Sequence, residues 1–139
     1  MKNIIIIITV CLLAGGAWAK DIEWQKNYDT ALAQAKKDKK LVLVDLYTDW
    51  CGWCKRLDRD TYSDTNVQVK VAKDFVAVKL NPEKSEIGRK LMEQFGGRGF
   101  PFIVFVDADG KKVSQIAGYM PAEAFLKQLE QVTTPVSAK

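Results

Sequence analysis

The sequence predicts an α/β fold, a sheet sandwiched between helices on both faces, and three observations carry that reading. Two runs, LVLVDLY at 41–47 and FVAVKL at 75–80, are nearly all apolar and β-rich, as strands buried on both faces are. Around them apolar residues recur at helical spacing behind capping residues. Further on, Phe102–Val106 and Lys112–Ala117 flank Asp107-Ala108-Asp109-Gly110, a hairpin signal.

Each element follows in order. Met1-Lys2-Asn3, the apolar run from Ile4 to Leu13 and the small residues around Ala17-Trp18-Ala19 form a secretory signal peptide cut after Ala19. The run is too short for a bilayer, which needs roughly 20 residues, so cleavage is preferred to a retained membrane anchor. Cys11 lies inside that run behind Val10, which argues against a lipoprotein. Trp24, Tyr28, Ala31, Leu32 and Ala35 predict an amphipathic helix over 24–37, with a short strand near Ile22. The strand at 41–47 leads into a helix opened by CGWC and continuing through Asp58. Ser63-Asp64-Thr65 can cap a short helix near 66–73, and Asn81-Pro82 halts the strand at 75–80. Ser85 can cap a helix through Phe95 that Gly96-Gly97 stops. Pro121 suits a first helical turn, ahead of a helix burying Phe125, Leu126 and Leu129. Residues 133–139 read as a loose tail.

Removing the leader leaves residues 20–139, enough for one domain and too few for two. The formal charge of +4 falls to +3 with the loss of Lys2, a mild surplus spread along the chain. The densest basic run, Lys36 to Lys40, closes a helix and reads as its solvated end, so no nucleic-acid partner is expected. With Cys11 gone, only Cys51 and Cys54 remain, and they lie three apart. A disulfide there closes almost no loop, so it adds little as a staple. The pair is read for chemistry in an oxidising compartment, the periplasm.

At the start of a helix, free N–H groups and the helix dipole favour a thiolate at Cys51. Cys54 lies three residues on, on the same face and within reach. One sulfur can attack a substrate disulfide and the other can resolve the mixed disulfide. Cys51 is thus the exposed nucleophile and Cys54 the shielded resolving thiol, with Gly52 letting a substrate come close. Zinc wants a full set of N or S ligands, and the chain has no histidine. Haem attachment needs a histidine where Lys55 stands. Two thiolates could hold Cu(I), the best metal rival, but C-x-x-C between strand and helix is the redox signature. No metal or other cofactor is expected.

The residues resemble a known family. DLYTDWCGWCK is similar to the thioredoxin active-site stretch, and FGGRGFPFIVFVDADGK to the segment with the family's cis-proline. Both occur in the family's order, and the likeness covers nearly all of residues 20–139. DLYTDWC followed by DTYSDTNVQ is most similar to the C-terminal periplasmic thioredoxin-like domain of the transmembrane electron carrier DsbD. The resemblance implies a thioredoxin fold with a central mixed sheet, thiol–disulfide oxidoreductase activity, protein disulfides as substrates and a membrane electron carrier as partner.

It also implies roles for particular residues. Asp45, an acid inside an apolar strand, matches the buried proton acceptor and donor for the second cysteine; the bland alternative is a hydrogen-bonded structural carboxylate. Lys79 matches a lysine near that acid, against a snorkelling surface lysine. Pro101 would be cis, leaving the Phe100 backbone to pair with an extended substrate. Trp50, Trp53 and Phe100 could rim the site as a docking surface, or, Trp53 excepted, sit in the core. The chain departs from thioredoxins in Gly52-Trp53 between the cysteines, Arg59 at a helix-kinking proline, and Phe102 after the cis-proline. No histidine stabilises the thiolate, which favours a reductant over an oxidant. No length is left for a dimerisation module, so a monomer is expected. A weak oxidase or general exchanger, a Cu(I)-binding chaperone and a redox-inactive binding module are the alternatives.

Overall fold

The computed structural model describes residues 19–134. The leader up to Trp18, with Cys11, and the tail from 135 onward lie outside the described residues. Among those described, five strands and five helices follow in the order β1 Trp24–Gln25, α1 Tyr28–Asp38, β2 Leu41–Leu46, α2 Gly52–Asp60, α3 Thr65–Asp74, β3 Phe75–Leu80, α4 Glu86–Phe95, β4 Phe102–Val106, β5 Lys112–Ala117 and α5 Ala122–Thr133. They form one mixed sheet in the order β1-β3-β2-β4-β5. β1 and β2 run parallel to β3, whereas β4 runs antiparallel to both β2 and β5.

Alternation along β2 explains the two helical layers. Val42, Val44 and Leu46 face α1 and α4, where Tyr28, Ala31, Ala35 and Leu91 are buried. Leu43 faces α2, α3 and α5, against Leu57, Val67, Val71, Phe125 and Leu129. Helix starts follow the expected caps: Asp64 accepts from Asn66 and Val67 N–H, and Ser85 from Gly88 N–H. Gly96 closes α4 in the left-handed region, φ 74°, where a side chain would be strained. The expected hairpin forms, with a register shift at Phe105/Val106.

Three expectations need correction. Trp24 is not on the first helix: it pairs with Ala77 in β1, and Asn27 caps a helix that begins at Tyr28. That strand is also the one placed near Ile22, shifted by two residues. Pro121 is the cap residue just before α5 rather than its first turn, and Thr133 ends α5 rather than beginning a tail. In the first case a sheet edge open to pairing overrides helical period. No described helix is long and apolar enough to cross a membrane.

Candidate functional site

The cysteines stand where β2 gives way to α2. Cys51 is the N-cap of α2, and its sulfur accepts the Cys54 N–H at 3.1 Å. A sulfur in that position satisfies one orphan donor of the first turn, the arrangement that favours negative charge on it. Cys51 and Cys54 are joined in a disulfide with Cα atoms 5.3 Å apart. In this oxidised form the expected contrast in exposure is absent: Cys51 is 4% and Cys54 3% accessible. Gly52 is exposed, and a Cβ there would meet nothing within 4 Å. The space beside it is open to an incoming chain.

Asp45 lies on the α2 side of β2, opposite Lys79 of β3 and Ile103 of β4. It is 1% accessible, and neither carboxyl oxygen has a hydrogen-bond partner of normal geometry. Burial pushes its titration up to about 6, against the pull of Lys79 downward and with the Asp58 charge adding to the rise. Lys79 is no free surface lysine. Its Nζ is 3.4 Å from Asp45 Oδ2 and also pairs with Asp58. The same ammonium lies 5.1 Å from the Trp24 and Tyr47 ring centroids and 5.5 Å from that of Tyr62.

Pro101 opens the segment before β4, and the Phe100–Pro101 bond is cis. The register Leu46↔Phe102 brings it to the cysteine end of the sheet. Phe100 meets Trp50 edge to face, centroids 6.0 Å apart. Trp50 is 67% and Trp53 54% exposed, so neither is a core residue. Each is held from one side: Trp50 Nε1–H donates to Glu83 at 3.0 Å, and Trp53 packs on Tyr119 at 5.6 Å. Arg56 lies over both the Trp53 and Tyr119 rings.

Cys51, Cys54, Asp45, Lys79, Pro101, Gly52, Trp50, Trp53 and Phe100 are therefore gathered at one end of the sheet or directly beneath it. Sequence reasoning passes over Asp58, Tyr62, Arg56 and Tyr119. Cys54, Asp58 and Tyr62 are spaced by four along and just past α2, a helical signal that could have found two of them. The Arg56–Tyr119 contact is long-range and leaves no local trace.

A C-x-x-C disulfide between strand and helix, over a buried acid and beside a cis-proline, defines a thioredoxin-like class. The family model described as a thioredoxin-like domain matches residues 28–133, and the chain belongs to that family. It is similar to the thiol:disulfide interchange protein DsbD of Actinobacillus pleuropneumoniae, 37% identical over 95 residues, which are 67% of this chain and 16% of that protein. This chain therefore spans about a sixth of that relative's length. A putative disulphide-isomerase from Bacteroides thetaiotaomicron is 31% identical, with a TM-score of 0.73 over 88% of this chain and 100% of that one. The oxidised C-terminal domain of Neisseria meningitidis DsbD, 24% identical over 73% of this chain and 89% of that one, shares the fold with a TM-score of 0.64.

Proposed function

We propose that the chain is a thiol–disulfide oxidoreductase that reduces protein disulfides in the periplasm, after cleavage of a signal peptide at Ala19, as a monomeric domain over 20–139. The observation that carries the reading is the Cys51–Cys54 disulfide at the N-terminus of α2, above a buried Asp45. The interchange activity in the names of the DsbD relatives and the expected leader support it.

In the reduced protein the Cys51 thiolate attacks one sulfur of a substrate disulfide. A Cys51–substrate bond forms and the other substrate cysteine leaves as a thiolate. Cys54 gives its proton to Asp45, and the Cys54 thiolate attacks Cys51 Sγ. The Cys51–Cys54 disulfide forms and the second substrate thiolate is released, so two electrons pass to the substrate. A carboxyl that titrates near 6 suits this work, since it can accept and return a proton near neutral pH. The Phe100 backbone beside cis-Pro101 pairs with an extended substrate, and Trp50 and Trp53 shield it from water. Lys79 holds the Asp45 charge in place. A membrane electron carrier returns the pair to the dithiol.

The reducing direction rests on the residues between the cysteines. Whatever stabilises the Cys51 anion favours the dithiol and makes a protein more oxidising. Gly52 and Trp53 supply no charge, and the chain has no imidazole. Equilibration against glutathione should give a potential nearer thioredoxin's, about −270 mV, than DsbA's, about −120 mV. A value more oxidising than about −170 mV overturns the reductant in favour of an oxidase. Cys54→Ala in cells should accumulate mixed disulfides through Cys51; capture of no protein by that variant would remove the exchange reading itself.

A further inference from the structure

Tyr62 is buried with its hydroxyl unpaired, as is the Asp45 carboxyl, and the Lys79 ammonium that stands 3.4 Å from Asp45 Oδ2 lies 5.5 Å from the Tyr62 ring centroid. Its ring is fixed: Trp24 meets it edge-on at 4.8 Å, Phe125 at 5.6 Å, and its backbone N–H bonds Leu57 O at 3.0 Å. The hydroxyl draws the Asp45 titration down, while burial and the Asp45 charge drive that of Tyr62 well up, so the phenol stays protonated as a donor. On its other side Tyr62 lines a cleft of about 290 Å³ with Asp21, Trp24, Asp58, Ser63 and Lys79. Trp50, Trp53 and Phe100 are not part of that lining.

The other charged groups at Asp45 leave its carboxylate short of donors. Lys79 from β3 divides its charge between Asp45 and Asp58, and β4 presents only Ile103. From α2 come the repelling Asp58 charge and Cys54, held in the disulfide. A carboxylate buried in this setting requires a donor.

We propose that Tyr62 is a positioning residue for Asp45: when the buried carboxyl ionises, the Tyr62 hydroxyl donates to it and keeps it aimed beneath α2. The inference rests on the proton-shuttle reading of Asp45. In the resolving step the Cys54 thiol proton passes to Asp45, which the phenol holds in place as a carboxylate until that transfer.

The test compares Tyr62→Phe, which keeps the ring and its packing, with wild type in the oxidised state. The Asp45 carboxyl carbon is followed by NMR across a pH series. Its midpoint should rise by about half a pH unit or more, the sense expected when a hydrogen bond to the charged form is removed. The acid limb of the resolution rate should move the same way, with the urea midpoint at pH 4 unchanged. An Asp45 midpoint identical in the two proteins overturns the proposal, including when Tyr62→Phe is merely less stable. Asp45→Asn separates the two readings: unaltered exchange in that variant removes the shuttle, whereas a shifted midpoint in Tyr62→Phe still places the phenol on the carboxyl.

Discussion

The two faces of the central sheet follow different rules. Toward α1 and α4, β2 presents Val42, Val44 and Leu46, and β3 presents Val76, Val78 and Leu80, an unbroken apolar layer. Toward α2, α3 and α5 the same strands start alike, with Leu43 and Ala77, and then present Asp45 and Lys79 as a register pair. One face is uniform from end to end. The other is apolar far from the cysteines and charged beneath them. Stability and chemistry are thus divided across a single strand, residue by residue, through the period of two. The buried acid is tolerated because Lys79, its register partner on β3, brings an ammonium to 3.4 Å from it.

Moving the acid by one residue should break that division. Val44→Asp puts a carboxylate into the α1–α4 layer, whose buried neighbours supply no cation. An unpaired buried charge of this kind costs about 4 kcal/mol or more, a large part of a small domain's stability. Urea denaturation at pH 7 should show a lost or much reduced transition. Near-wild-type stability would mean the two faces are interchangeable.

Removing the acid from its own face should do the reverse. Asp45 titrates near 6 when folded and at the ordinary carboxylate value, 3.8, when unfolded. Its contribution is therefore most favourable below the unfolded value and is lost as pH rises through about 6. The loss for those values is about 3 kcal/mol in the oxidised protein. Asp45→Asn should lack it, so the variant is as stable as wild type at pH 4 and more stable at pH 7.5. Its disulfide resolution should nevertheless slow between pH 6 and 8. Equal pH dependence of unfolding in the two proteins would show that the carboxyl is not desolvated.

The smallest effect sharpens the contrast between layers and rim. Trp50 is two-thirds exposed, and Trp50→Ala should change stability by about 0.5 kcal/mol or less. Exchange with a folded protein substrate should weaken, while exchange with a small disulfide stays the same. Equal losses on both would take Trp50 out of docking.

Most of the fold is legible because its strands announce themselves. The runs at 41–46 and 75–80 have no competing period, and caps such as Asp64 and Ser85 bond as their residue types suggest. Trp24 is the instructive failure. It continues the helical spacing of Tyr28, Ala31 and Ala35, yet it pairs with Ala77 across a distance that local period does not register. In the site, Asp45 stands out as a lone acid in an apolar run. Asp58 and Tyr62 do not, since an acid on a polar helix and an aromatic just past its end are unremarkable until the sheet beneath them is known.

The strand order has a consequence for the chain before it is folded. β2 is the middle strand, yet both of its partners come later: Leu46 pairs with Leu80 and with Phe102. From its synthesis until residue 106 is made, this apolar segment has at least one edge open, a wait of roughly 3–12 s at usual elongation rates. Unpaired apolar strands of this kind recruit one another. Lys36, Lys37, Lys39 and Lys40 stand directly before the segment, and Asp45 interrupts it. Both are charges of the type that keeps nascent strands apart. The carboxylate that burdens the folded sheet thus protects the unfinished one. Light scattering during refolding should show it: Asp45→Asn, no less stable once native, aggregates more than wild type on the way there.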